Sequence, residues 1–293
     1  MKDSITPHSI AALAIMLRAA QASKKPILLV EGETDQLLIQ HSFGERVQIL
    51  PAHGKRLACE GARVLYDEMG HRDWFMAIVD AAFDRILGAE IKHSSILVSE
   101  AHDFECEYIK SRALEKTLRE FGSSEKLVRC FDLPVDTGFA ELAARVRVEI
   151  HKPTMVLGAL RLVNARGQLG LSFQKLRHEK VLEPKTIDID KQSLINAVRQ
   201  QNPEKKIDPN EMLEEIESVL GEGYDPWQLC QGHDLVKVFC LGLRRMWSSR
   251  SLDVEFVESS LRLAFELAFL LLSQSGRALV SFVEEFERRA AAH

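Results

Sequence analysis

Ile27-Leu28-Leu29-Val30-Glu31-Gly32-Glu33-Thr34-Asp35 is the stretch whose reading decides the fold. Four apolar residues run straight into an acidic turn that contains a glycine, and Leu37, Leu38 and Ile39 follow at once. An apolar run of this length predicts a strand buried on both faces, then a tight turn, then a helix. In such units the groups at the carboxyl ends of strands face the crevice where ligands bind. Glu31 stands at that end, and Gly32 lets the backbone turn beneath it.

Moving outward, Val47 to Leu50, Trp74 to Val79 and Ser95 to Val98 have the same apolar, β-favouring character. Helical spacing separates them: residues 36 to 43, then Leu57, Val64 and Leu65, then a segment running to about Glu120. Strands alternating with helices predict a parallel sheet with crossover helices, an α/β domain over residues 24–132. An alanine-rich amphipathic helix over Ile10 to Ala22 precedes it, within an N-terminal segment 1–23. Residues 133–293 change character and predict a mainly helical region, with large apolar faces suited to a dimer or partner interface. Within it, helices are expected at Glu141 to Ile150, Met155 to Val163, Lys191 to Arg199, Pro209 to Leu220, Leu235 to Trp247, Val254 to Leu272 and Ala278 to Arg289. Phe173 to Ile189 is mixed, with β-favouring pieces around Pro184.

Composition bounds the function. A net charge of -5 over 293 residues argues against a polybasic nucleic-acid binder, so any nucleic acid must meet a local basic patch or metal-bridged phosphates. Five scattered cysteines without a C-x-x-C pair predict reduced thiols rather than a zinc ribbon. Met1-Lys2-Asp3-Ser4 does not open a signal peptide. The most apolar stretch, Leu261 to Leu272, is interrupted by Arg262 and Glu266 and is too short to span a bilayer. A cytoplasmic protein without a membrane anchor is the expectation.

Three acidic clusters fall at three strand ends: Glu31 with Glu33 and Asp35, Asp80 with Asp84, and Asp103 with Glu105. Carboxylates gathered in one crevice repel one another and lose hydration, and a hard divalent cation offsets that charge. A metal so held can activate water or stabilise a leaving oxygen in phosphodiester cleavage, and Lys55 can face a phosphate as a point charge. Acidic residues after strands also cap the next helix, which Asp80, Asp84 or Thr34 could do alone. Gly54-Lys55 is not a P-loop, because the earlier glycine is absent and Arg56 replaces Ser/Thr. In Gly232-His233-Asp234-Leu235, helix capping outweighs a role for His233 at the site.

Val30-Glu31-Gly32-Glu33-Thr34-Asp35, a strand ending in Asp80, and His102-Asp103-Phe104-Glu105 together resemble the Toprim family of topoisomerases, primases and OLD-type nucleases. Within it the chain looks most like the stand-alone Toprim effector subunits of PARIS-type anti-phage systems, encoded beside ABC-type ATPases. His53-Gly54-Lys55 and Gly232-His233-Asp234-Leu235 add to that likeness. The resemblance implies Glu31 as general base or metal ligand, and Asp80, Asp84, Asp103 and Glu105 as ligands of Mg2+ (or Mn2+). It implies Asp80 and Lys55 beside Glu31 in the catalytic set, with Lys55 and Arg85 as substrate contacts. The implied activity is metal-dependent nuclease cleavage by a toxic effector, with tRNA favoured and DNA as the other substrate. An ABC-type ATPase sensor would hold the effector inactive, and a homodimer is the expected active form. The family's Asp-x-Asp reads Asp80-Ala81-Ala82 here, so Asp84 would have to replace the second aspartate. The competing reading is a catalytically degenerate Toprim scaffold that binds a partner or nucleic acid.

Overall fold

The computed structural model describes residues 5–21 and 24–292. In chain order its elements are α1 (Pro7–Ala20), β1 (Ile27–Val30), α2 (Glu33–Phe43), β2 (Gln48–Pro51), α3 (Lys55–Arg63), β3 (Phe75–Val79), β4 (Ile96–Val98), α4 (Phe104–Lys110), α5 (Arg112–Phe121) and α6 (Ser124–Phe131). There follow α7 (Phe139–Gly167), α8 (His178–Val181), α9 (Lys191–Gln201), α10 (Pro209–Gly221), α11 (Pro226–Leu229), α12 (Gly232–Gly242), α13 (Val254–Ala264), α14 (Leu267–Leu270) and α15 (Gln274–Ala291). The α/β class expected from the alternation is present. Of the expected N-terminal segment 1–23, α1 forms the described part, and residues 1–4, 22 and 23 lie outside the described residues.

Two compact units make up the chain. The first takes residues 1–84, 88–104 and 265–293, and the second takes 85–87 and 105–264. The division falls near 104 and 265, where the sequence reading divides the chain at 132. The last thirty or so residues thus belong with the sheet and not with the other helices.

In the first unit the four strands are all parallel, in the order β2-β1-β3-β4. Every residue of β1 is fully buried, as its unbroken apolar run requires of a central strand. Burying each such side chain is worth about 1.5–3 kcal/mol. Helix α1 packs on α3, and Ile10, Ala11, Ala14, Leu57, Ala58 and Ala62 join Ile27, Leu29, Phe75 and Ala77 in one core. The start of α1 is a capping box: Thr6 and Ser9 exchange backbone-to-hydroxyl bonds of 3.1 and 2.8 Å, with Pro7 in the first turn. Helix α15 is fastened by the Arg46–Glu287 pair at 2.7 Å and by the Gln274 N–H on Glu100 at 2.7 Å.

In the second unit α7 is the spine, contacting α5, α6, α10, α11 and α12. The sequence predicts two helices here, at 141–150 and 155–163, but Pro153 lies inside one continuous helix. The Thr154 hydroxyl donates to the Ile150 and His151 carbonyls at 2.7 and 3.1 Å, in the turn that Pro153 interrupts. Gly158 lets the chain at Leu229 press against α7, where any Cβ would collide with the Leu229 carbonyl. The mixed segment 173–189 forms only the short α8 and a single bridge between Leu182 and Ile189. Among the described residues no helix is long and apolar enough to cross a membrane.

Candidate active site at the carboxyl edge of the sheet

Because β1 and β3 are parallel neighbours in register Val30 to Ile78, the residues that follow them emerge side by side. Glu31 and Asp80 are those residues. The Asp80 backbone N–H donates to Glu31 Oε1 at 2.8 Å, so the glutamate is held against the neighbouring strand end. Asp80 in turn accepts the Phe104 N–H on Oδ1 at 3.2 Å, meeting the first residue of α4. The capping role weighed for Asp80 is therefore taken by one of its oxygens.

The turn after β2 supplies the cation. The Gly54 N–H donates to the Glu31 carbonyl at 2.8 Å, fixing this turn beneath the glutamate and starting α3 at Lys55. Gly54 has φ +124°, a conformation that favours glycine, and His53 before it is left-handed at φ +61°. Lys55 Nζ lies 2.7 Å from Asp84 Oδ2 and also donates to the Ala81 carbonyl at 3.2 Å. Lysine and aspartate are each about a quarter exposed.

The loops after β3 and β4 are stitched together. The Ser99 hydroxyl accepts the Ala81 N–H at 2.9 Å and donates to the Ala101 carbonyl at 2.7 Å, and Ala82 N–H meets the His102 carbonyl at 2.7 Å. Ala82 has φ +49°, strain worth about 1–2 kcal/mol for a residue with a Cβ. Left-handed non-glycine residues thus occur in the turns after β2 and β3, as they also do at the helix ends Asp132 and Gln168. Asp35, buried in the first turn of α2, accepts the Gly32 N–H at 3.0 Å. Asp103 is buried in the loop before α4.

The electrostatics follow from this crowding. Burial pushes the Glu31 carboxyl above the usual carboxylate range; the Asp80 N–H opposes this, and Asp35 and Asp84 add to it. Asp35 is raised by burial first and by the charge of Asp103 next. Cys59 on α3 is pushed up to about 11 by burial, which makes it a poor thiolate nucleophile.

No family model matches the chain. No curated protein matches it either. The Toprim likeness therefore rests on the motifs quoted above.

Of the residues singled out in the sequence, Glu31, Lys55, Asp80, Asp84 and Asp103 all belong to the sheet-bearing unit. Glu105 and Arg85 belong to the other unit, where Glu105 sits in the first turn of α4 and Arg85 lies 3.4 Å from Gln228. Asp103 precedes α4 while Glu105 is inside it, so the shared side that a strand would give the pair is absent. Asp234 does not cap α12: it is fully buried within the first turn and is bonded to Arg161 at 2.8 and 3.1 Å and to His178 at 2.8 Å. Ser99 is a site element that the sequence reading does not single out, and a serine directly after a strand is the available signal for it. Ala82 is singled out there only as the position lacking the second aspartate, and nothing in the sequence announces its left-handed backbone.

Among the described residues no three or more His, Cys, Asp or Glu side chains form a ready metal cage. Mg2+ does not require one, since it is commonly held by one or two carboxylates with waters and substrate phosphates. The donors here are all hard oxygens, the ligand type that Mg2+ takes, and Glu31 and Asp35 are raised first by burial and then by neighbouring acids.

Proposed function

We propose that the carboxyl edge of the sheet is the catalytic centre of a metal-dependent nuclease of the Toprim kind. The observation that carries this reading is the side-by-side placement of Glu31 and Asp80, joined at 2.8 Å, with the Lys55–Asp84 pair in the adjoining turns. Glu31, partly desolvated and raised, is a stronger base than an ordinary carboxylate and would take a proton from an attacking water. Asp80 would hold Mg2+ or Mn2+, with Asp84 joining once released by Lys55, and Glu31 would serve either as the base or as a further ligand. The ion would supply charge neutralisation at the scissile phosphate. Lys55, turning from Asp84, would meet a non-bridging phosphate oxygen as a point charge.

The resemblance extends the proposal to biology. The protein would act in the cytoplasm as the toxic effector of an anti-phage system, held by an ABC-type ATPase and cutting tRNA, or DNA, on release. A homodimer would bring two such sites to one substrate. The Lys55–Asp84 pair and Ala82 also favour a second reading, a degenerate scaffold whose acidic site is closed by its own lysine.

Cleavage of total tRNA and of plasmid DNA separates the two. The purified chain, alone and co-expressed with a neighbouring ATPase, is assayed with Mg2+, Mn2+ or EDTA. Metal-dependent cutting that Glu31→Ala abolishes supports the nuclease. A phage-defence phenotype that survives both Glu31→Ala and Asp80→Ala supports the scaffold.

A further inference from the structure

The opposite edge of the same sheet holds a second site of different chemistry. The Trp74 carbonyl accepts the Ile27 N–H at 2.7 Å, which places Trp74 at the amino ends of β1 and β3. A strand of five residues separates it from the carboxylates, about 15 Å of chain. There a cleft of about 720 Å3 is lined by Arg18, Lys24, Asp73, Trp74, Phe286 and Arg289. That volume is typical of small-molecule sites.

The cleft holds more cations than anions. The Arg18 guanidinium lies 5.7 Å from the Trp74 ring centre and 5.0 Å from that of Phe286. Among the described residues its hydrogen bond goes to the Lys25 carbonyl at 3.0 Å. The only acid in the lining, Asp73, is 3.3 Å from Arg289. Arg18 and Lys24 pair with no carboxylate among the described residues. Burial lowers the pKa of Arg18, the mark of a desolvated charge left uncompensated. Most buried charges are paired, so a half-buried guanidinium between two aromatic rings is a place for an anion to bind.

We infer that this cleft binds a small anion with a flat aromatic body, of which a nucleoside monophosphate is the representative. Arg18 and Lys24 meet the phosphate, and Trp74 and Phe286 line the space for the ring. The inference does not rest on the nuclease reading, because none of the carboxyl-edge residues takes part.

Calorimetric titration of the full chain with adenosine 5′-monophosphate tests it, with inorganic phosphate and adenosine as separate probes. Saturable binding of the nucleotide is expected, with each component alone weaker by about tenfold or more. Arg18→Met should weaken binding by about tenfold or more, and Lys24→Met, on the exposed rim, should weaken it without changing the melting temperature. Glu31→Gln and Lys55→Met should bind as the parent does. Absence of saturable binding at millimolar nucleotide overturns the inference. So does equal affinity for phosphate alone, unchanged affinity in both rim and cleft variants, or loss of binding in the carboxyl-edge variants.

Discussion

Asp234 is fully buried in one compact unit and Glu31 half-buried in the other, and their surroundings are opposite. Asp234 meets an arginine fork and a histidine ring, whereas Glu31 meets one backbone amide and lies among other acids. Burial alone would raise Asp234, but the His178 bond and the Arg161 charge outweigh it and hold the acid well below the usual range. At Glu31 burial prevails and the acid is raised. A fully compensated buried acid fastens helices together. A partly compensated one, with its pKa raised, holds a proton more tightly than an ordinary carboxylate does, and this difference separates structural from chemical carboxylates.

The comparison can be broken at several points. Asp234→Ala should be the most damaging change to stability, because Arg161 and His178 lose the anion that answers them. A loss of about 3–5 kcal/mol in urea unfolding is expected, and a loss below about 1 kcal/mol would mean the network is ornamental. His151 on α7 sharpens the point in the second unit. Burial lowers its pKa from 6.5 to about 4, its Nε2 is buried without a partner, and its ring meets Trp227 at 4.5 Å. The unfolded chain then binds a proton more readily than the folded one. Stability contributed by neutral His151 is complete above pH 6.5 and is lost as the pH falls towards 4. The loss should be on the order of 3 kcal/mol, and His151→Gln should flatten the stability–pH curve across that window.

In the sheet-bearing unit, Gly54→Ala should cost about 1–3 kcal/mol, because φ +124° excludes a Cβ without strain. The crystal structure or amide exchange of that variant should show the turn before Lys55 displaced. Lys55→Met should be the mildest change in stability, under about 1 kcal/mol, since the pair with Asp84 is partly exposed. Its cleavage should nevertheless fall, and a variant with full cleavage would remove Lys55 from the site.

The strands were legible because an apolar run flanked by turn residues has few alternatives, and β1 to β4 lie within a residue of their expected places. The acids at strand ends were legible for the same reason: parallel neighbours deliver their carboxyl ends together. What the sequence concealed depends on distant partners. Pro153 marks a helix boundary locally, yet the Thr154 hydroxyl and burial against the rest of its unit carry α7 through it. Residues 254 to 272 have one continuous helical pattern, yet they divide into α13 and α14 around Glu266. The attachment of α15 to the sheet rests on Arg46 and Glu100, far away in sequence, and no local pattern foretells such a contact. Asp234 looks like a capping residue until Arg161 and His178 are placed beside it.

The most direct test replaces Glu31 by glutamine, which keeps shape and hydrogen bonding while removing the titratable group. Melting temperature and metal-dependent cleavage are then measured on the same sample. The expected result is a melting temperature equal to or above that of the parent, since a raised acid is a burden on the fold, with cleavage lower by about 10²–10⁴-fold. Full cleavage together with a large drop in melting temperature would make Glu31 a structural acid like Asp234 and would contradict the assignment of the site.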